Sequence, residues 1–317
     1  MAAADFFNEV QQLYIGFYGR PADPDGLEFW AGEVDAAGGD ISAVLEAFAD
    51  SDEAQEYVFT DDTGAALTNE ELVENIYQQL FSRPADEDGK EFYVNGLESG
   101  DFTMMGIVKN MIDGAQNEDA TTLENKVEVA QFFTENLGDK EYTSEDIPEA
   151  RALLADIDET DASVEDAQDD VADFVAGNFT LTVDQDNLTG TIGDDVFNAP
   201  IVQNEMGQVV NTFETGDVID GGEGSNVLNI DFNESAWAGL WVGTAPAISA
   251  TTDNIQEVYI RAQALTGDPV NLSTVDAEKM SGVEQLWSDN SRADLQVEDV
   301  RARPEEMTIG MEGTDHQ

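Results

Sequence analysis

Two short clusters of glycine and acid place hard oxygen donors where a cation could be held. The first is Gly190-Thr191-Ile192-Gly193-Asp194-Asp195-Val196-Phe197, and the second is Gly221-Gly222-Glu223-Gly224-Ser225-Asn226-Val227-Leu228. Glycines let a backbone bend tightly and aim carbonyl oxygens inward. Aspartate adds anionic oxygen, and Ca²⁺ takes about six to eight such ligands. Asp217 and Asp220 flank the second cluster and would add anionic oxygen beside the neutral Asn226. The candidate calcium set is therefore Gly193, Asp194, Asp195, Asp217, Asp220, Gly222, Gly224 and Asn226. The competing reading is plainer: glycine turns between strands, with aspartates hydrogen-bonding the local backbone.

Other chemistry is poorly supplied. The chain has no cysteine and one histidine, His316, so thiol nucleophiles, disulfides, a Ser-His-Asp triad and histidine zinc sites are excluded. No phosphate-cradling G-x-x-x-x-G-K-[ST] occurs. Paired carboxylates are everywhere among 69 acids, so a glycosidase dyad cannot be picked out. The expectation is a protein that is not an enzyme. The N-x-[ST] sequons at Asn178, Asn187, Asn233 and Asn271 read as incidental.

Charge narrows the partners. Twelve basic against 69 acidic side chains give a net charge of −57 over 317 residues. Such a surface repels nucleic acid, which binds through cationic side chains. It also repels anionic lipid unless a divalent ion bridges. Self-repulsion on this scale opposes compaction, so bound Ca²⁺ or dense salt is expected to offset it. No run of about 18 apolar residues exists to span a membrane. The start, MAAADFFNEVQQL, lacks a basic segment and an apolar core, so no cleaved leader is read.

The elements that would position these groups fall into two textures. In the first, a phrase occurs twice with a shift of 63 residues: YIGFYGRPADPDGLEFW at Tyr14 to Trp30 and YQQLFSRPADEDGKEFY at Tyr77 to Tyr93. Phe6, Val10, Leu13, Tyr14 and Phe17 recur at helical steps. Pro21 and Pro84 stop the helix. Asp23 and Asp86 are natural caps for the next one, with Pro24 at its first position. Asp23, Asp25 and Glu28 loosely echo an EF-hand, but the loop is too short for one. Arg20 and Arg83 are expected to pair with carboxylates, and Phe29, Trp30, Phe92 and Tyr93 to lie in the core. Further helices are read at 41–48, 69–81, 103–112 and 123–137. Residues 139–177 are intensely acidic with helical apolar stripes, and read as a solvated connector.

At Asn178 the texture changes to apolar–polar alternation broken by Gly, Asp and Asn, which predicts short strands. Asn254–Tyr259 and Gly282–Trp287 match at a shift of 28, as stacked rungs of a β-solenoid would. Trp237 and Trp241, in a glycine-rich stretch, are weak candidates for glycan contact.

Residues 1–138, with Leu-Tyr, Arg-Pro-Ala-Asp, Asp-Gly and Phe-Trp in order, resemble a helical repeat domain of unknown function found in bacterial extracellular proteins. The two glycine clusters are similar to the calcium-binding G-G-x-G-x-D-x-U-x repeat of RTX proteins, with Thr191 and Asn226 as departures. Their spacing of 31 is no small multiple of nine, so they are not expected to stack as neighbouring turns of a regular RTX roll. The order helical domain, DNLTGTIGDDVFNA, then apolar–aromatic rungs is similar to RTX-type surface-layer (S-layer) proteins.

The resemblance implies a calcium-dependent lattice at the bacterial cell surface, extracellular and exported by type I secretion without a cleaved leader. A helical domain would attach to lipopolysaccharide or exopolysaccharide, and a β-solenoid would self-associate. The C-terminus, RARPEEMTIGMEGTDHQ, is unlike such an export signal, which raises the expectation of a longer parent chain. The overall reading is α+β in separate domains: a helical repeat domain (1–138), the acidic connector (139–177) and a β-rich, β-solenoid-like domain (178–317). An accessory region of a secreted RTX enzyme or adhesin, and an intracellular protein of a salt-loving organism, are the competing readings.

Overall fold

The computed structural model describes the chain apart from residues 1, 62, 139, 141, 205, 234–246, 264–271, 301–306 and 314–317. Two compact units emerge, Met1–Phe174 and Val175–Gln317. Helices fill the first and strands the second, an α+β arrangement in separate halves.

The first unit comprises α1 (Phe7–Tyr18), α2 (Pro24–Ala36), α3 (Ser42–Ala49), α4 (Asp52–Tyr57), α5 (Asn69–Phe81), α6 (Glu87–Ser99), α7 (Ile107–Gly114), α8 (Glu118–Asn136), α9 (Ile147–Ala155) and α10 (Asp161–Val175). The repeated phrase builds the same corner twice. Helices α1 and α5 end in left-handed residues, Gly19 (φ 65°) and Ser82 (φ 52°). Then Asp23 accepts a hydrogen bond from Gly26 N at 2.8 Å, and Asp86 from Gly89 N at 2.8 Å. Those glycines are needed, because a Cβ there would strike the hydroxyl of Tyr14 or of Tyr77. Tyrosine and glycine are thus partners within the phrase, and Asp23 and Asp86 are spent as helix caps.

Each arginine forks onto a carboxylate. Arg20 donates to Glu53 at 2.8 and 3.0 Å, and Arg83 to Asp119 at 2.7 and 2.8 Å. Each also donates to the carbonyl of the next proline and lies over a tyrosine ring, Tyr14 or Tyr77.

Leu13, Phe17, Phe48, Leu72, Ile76, Leu80, Ile107 and Phe133 are fully buried at the centre. Of the four aromatics expected in the core, Tyr93 is buried and Trp30 packs half-buried on Phe48. Phe29 and Phe92 are not: they are 58% and 60% exposed. The buried face of α2 is Leu27, Ala31 and Val34, and Phe29 lies well round the helix from all three. The acidic stretch after residue 138 runs on within the unit. Ala150, Leu153, Leu154, Val164, Val171 and Phe174 are buried, and Arg151 donates to Tyr18 O and Glu53.

The second unit holds β1 (Asn178–Thr180), β2 (Asn187–Thr189), β3 (Val196–Ala199), β4 (Ile201–Gln203), β5 (Val209–Asn211), β6 (Val218–Asp220), β7 (Val227–Asn233), β8 (Thr251–Asp253), β9 (Glu257–Gln263), β10 (Leu272–Asp276), β11 (Gln285–Asp289), β12 (Asp294–Glu298) and β13 (Thr308–Glu312). Six strands pair in the order β1-β3-β7-β9-β11-β13, all parallel. A second parallel sheet runs β2-β6-β8, β10 pairs with β12, and β4-β5 is an antiparallel hairpin.

Along the chain the two larger sheets alternate: β2 then β3, β6 then β7, β8 then β9. Phe197, Leu228, Val258 and Leu286 fall in register and point into the core. Tyr259 faces Trp287 across the predicted 28-residue shift. The 31-residue shift also joins direct neighbours, since Val196 pairs with Val227. The clusters are therefore neighbours, but over a turn far longer than the nine-residue unit of a regular RTX roll. The turn from β3 to β7 spends its length on the β4–β5 hairpin, the short strand β6 and a glycine corner.

The two arginine corners differ in depth, and this sets a test. The Arg20 side chain is 9% exposed and that of Arg83 37%. Breaking a buried pair costs about 3–5 kcal/mol, and an exposed pair about 0–1 kcal/mol. Arg20→Ala is therefore expected to lower the urea midpoint far more than Arg83→Ala; equal shifts would contradict the assignment.

Candidate functional site

The glycine clusters form corners that lie on one another. A Cβ on Gly222 would strike Thr191 O, and one on Gly224 would strike Gly193 O. Both glycines also hold positive φ, 78° and 73°. No other residue type satisfies both demands.

Inside this stack a column of side chains runs from turn to turn. Asp195 is fully buried. Its Oδ1 accepts from Gly177 N (2.5 Å) and Thr191 Oγ1 (2.9 Å), and its Oδ2 from Thr191 N (2.6 Å). Asn226, one turn on, accepts from Asp195 N at 2.9 Å and donates to Glu223 O and Asn254 O, both at 2.8 Å. Its own N–H goes to Gln256 Oε1 at 2.7 Å. Asp195, Asn226 and Gln256 thus pass backbone hydrogen bonds along the axis of stacking.

Of the eight candidate ligands, the fold brings seven to this stack. Asp194 accepts from Ser225 N at 2.6 Å, and Asp220 from Gly222 N and Asn254 Nδ2 at 3.1 and 2.9 Å. Asp217 is not among them. It lies at the other end of β6, buried, accepting from Asp186 N and Glu214 N at 3.1 and 2.7 Å.

The interior of the stack is a poor fit for Ca²⁺. The oxygens a cation would need, on Asp195, Glu223 and Asn254, already accept N–H or O–H groups. Asn226 turns a donor toward the two carbonyls. Oxygen available to a cation lies at the rim, where Asp194 and Glu223 are exposed.

Two other acidic places arise that the sequence did not single out. Glu214 is crowded: burial raises its pKa, and the charges of Asp217, Asp184 and Asp186 raise it further. Burial also raises that of Asp217, against the pull of its two amide donors. At the second place, carboxylate oxygens of Asp276, Glu278 and Asp299 lie within 4.8 Å of one another. Parallel pairing of β10 with β12 makes this trio, setting Asp276 opposite Glu298, next to Asp299. The only trace in the sequence is a faint match of L-S-T-V-D with D-L-Q-V-E, too degenerate to read.

In the helical unit, a cavity of about 490 Å³ is lined by Arg20, Asp23, Asp25, Lys140, Tyr142 and Ile147, among others. The Tyr142 hydroxyl is buried there with no hydrogen-bond partner among the described residues. Trp237 and Trp241 lie outside the described residues.

A family model described as a domain of unknown function (DUF4214) matches residues 57–120, which contain the second copy of the repeated phrase. Neither a curated protein nor a solved structure matches the chain.

Two outcomes follow. Asn226→Asp puts an anionic oxygen against the Glu223 and Asn254 carbonyls. It is expected to lower the melting temperature clearly, with or without 5 mM calcium (a concentration of about this size saturates extracellular-type sites); rescue by calcium would mean that the corner takes the ion. Glu214→Gln is expected to raise stability at pH 7. Because the folded Glu214 carboxyl titrates above its unfolded value, the wild type regains that stability as pH falls through the raised value toward the ordinary one. The variant's advantage should therefore shrink on acidification, as read by melting curves across pH; an advantage growing toward acid would contradict the crowding.

Proposed function

We propose that this chain is a structural, non-enzymatic component of a bacterial cell-surface coat: a calcium-dependent S-layer or related extracellular subunit. The second unit is read as a β-solenoid with RTX-like corners that self-associates. The first is the anchor, attached to lipopolysaccharide or exopolysaccharide, with the cavity around Arg20, Asp25 and Tyr142 as the place for a saccharide. Export by type I secretion belongs to the same reading.

The observation that carries it is the stacking of glycine corners on parallel strands in a chain of net charge −57. Repeated turns of this kind expose strand edges and acidic rims, and rims of like charge meet only through a cation. Calcium then acts at rim carboxylates such as Asp194, Asp220 and Glu223, and at the Asp276, Glu278 and Asp299 trio, rather than within the corner stack.

Sedimentation and negative-stain electron microscopy of the protein in calcium, and again in chelator at equal ionic strength, test this directly. Ordered assemblies that dissolve in chelator are expected, with a fall in melting temperature. Identical sedimentation and melting in both buffers would sink the proposal.

A further inference from the structure

The outward face of the six-stranded sheet carries an arrangement that neither the corners nor the coat reading uses. In register on successive strands stand Asn198, Asn229, Tyr259, Trp287 and Gly310. The asparagines form a ladder: Asn198 Nδ2 donates to Asn178 Oδ1 at 2.7 Å and Asn229 Nδ2 to Asn198 Oδ1 at 3.1 Å. The ladder stops at Asn229, whose Oδ1 has no partner among the described residues. Two aromatic rings follow, Tyr259 and Trp287, parallel to within 10° with centroids 6.4 Å apart. The Trp287 ring fills the space that a Cβ on residue 310 would need, so Gly310 lets it settle over the last strand.

The polar tips of both rings are tied to one side. Tyr259 OH donates to Glu257 Oε2 at 2.9 Å, Trp287 Nε1 to Gln285 Oε1 at 3.2 Å, and Gln285 Nε2 to Glu257 Oε1 at 2.5 Å. This closed set fixes the rings, so little conformational entropy is left to lose on binding. On the other side lies a cavity of about 260 Å³ lined by Asn198, Asn229, Tyr259, Asp231, Arg261 and Asp289 with flanking backbone. Arg261 is held there by a fork onto Asp231 through Nε and Nη2. Its Nη1 has no partner among the described residues.

We propose that this groove binds a neutral saccharide. A rigid aromatic ring beside amide, guanidinium and carboxylate groups suits a pyranose: its C–H face packs on the ring while adjacent hydroxyls meet the polar groups. A nucleotide would also stack, but its phosphates would face Asp231 and Asp289 with one arginine already paired. The same charges disfavour uronic acids. An apolar peptide would leave the amide and charged rim unpaired.

The test is calorimetric titration of the full chain at fixed calcium with cellotetraose, chitotetraose and mannotetraose, and with trigalacturonate as the acidic counterpart. At least one neutral sugar is expected to bind. Tyr259→Ala should weaken it about tenfold, a change of about 1.4 kcal/mol, at unchanged melting temperature, and Trp287→Ala, whose ring backs Tyr259 outside the cavity, should weaken it less. Tyr259→Phe should keep the affinity, since the ring supplies the contact. Asn229→Ala, on the cavity rim, gives the same readout should an aromatic variant fail to fold. The inference is overturned by no heat with any neutral sugar, by trigalacturonate binding as well as they do, or by affinity that survives these substitutions but is lost in Asp25→Ala, which would place the sugar in the helical unit. Assembly in calcium is measured separately, so failure here leaves the coat reading standing.

Discussion

Backbone amides govern where the carboxylates of this chain can be buried. With acids outnumbering bases by 57, there are too few cations to pair them. The fold instead gives many of its structurally placed acids to N–H groups. Asp23 and Asp86 start helices, Asp195 ties Gly177 to Thr191, and Asp217 ties Glu214 to Asp186. A carboxylate accepting such bonds keeps its charge at modest cost. At the surface, the hydroxyl and backbone N–H of a nearby threonine lower the pKa of Asp61 and Asp158, and the N–H and hydroxyl of Thr143 that of Asp146. Where burial outweighs such donors, the pKa rises instead: at Asp217 despite its two amides, and at Glu214 with the charges of Asp217, Asp184 and Asp186 adding to the effect of burial.

Scarce cations are correspondingly concentrated. Glu53 receives both Arg20 and Arg151, which joins the first repeated corner to α9. Lys126, fully buried, donates to Gln79 O at 2.7 Å, and burial lowers its pKa to about 7. The repeat is therefore uneven in function though even in geometry. One corner is locked into the core by a shared carboxylate. The other lies nearer the surface with a partner of its own, Asp119, and an exposed Phe92 beside it.

Much of this was legible in the residues. Proline, aspartate and glycine at fixed offsets dictate a stop, a cap and a close approach, so both corners and their helices could be read. The change to strands at Asn178 and the Tyr259–Trp287 pairing were equally plain, because alternation and a 28-residue match are local signals. Other features were not. Phe29 sits beside Trp30 in sequence, but which of the two is covered depends on neighbours the helix period does not name. The 31-residue stacking was hidden by assuming nine-residue units. Asp217 is three residues from Asp220, yet a strand separates their environments. The Asp276, Glu278 and Asp299 trio depends on parallel pairing of strands whose sequences barely match.

The corner stack bears on how a cation can act here. Where the oxygens of a glycine corner, as on Asp195, Glu223 and Asn254, already accept N–H or O–H groups, an ion there must displace those bonds. A cation acting from outside has two routes, screening or bridging exposed carboxylates. Screening needs no particular ion: at about 1 M salt the Debye length is near 3 Å, and sodium relieves rim repulsion as calcium does. Bridging is different. It requires several oxygens converging on one point, which screening does not supply. Only where carboxylates already crowd within a few ångströms, as at Asp276, Glu278 and Asp299, do the two mechanisms part. A coat built on bridging and a protein merely suited to brine share nearly the whole of this surface. They differ in the response of such convergent groups to calcium at constant ionic strength.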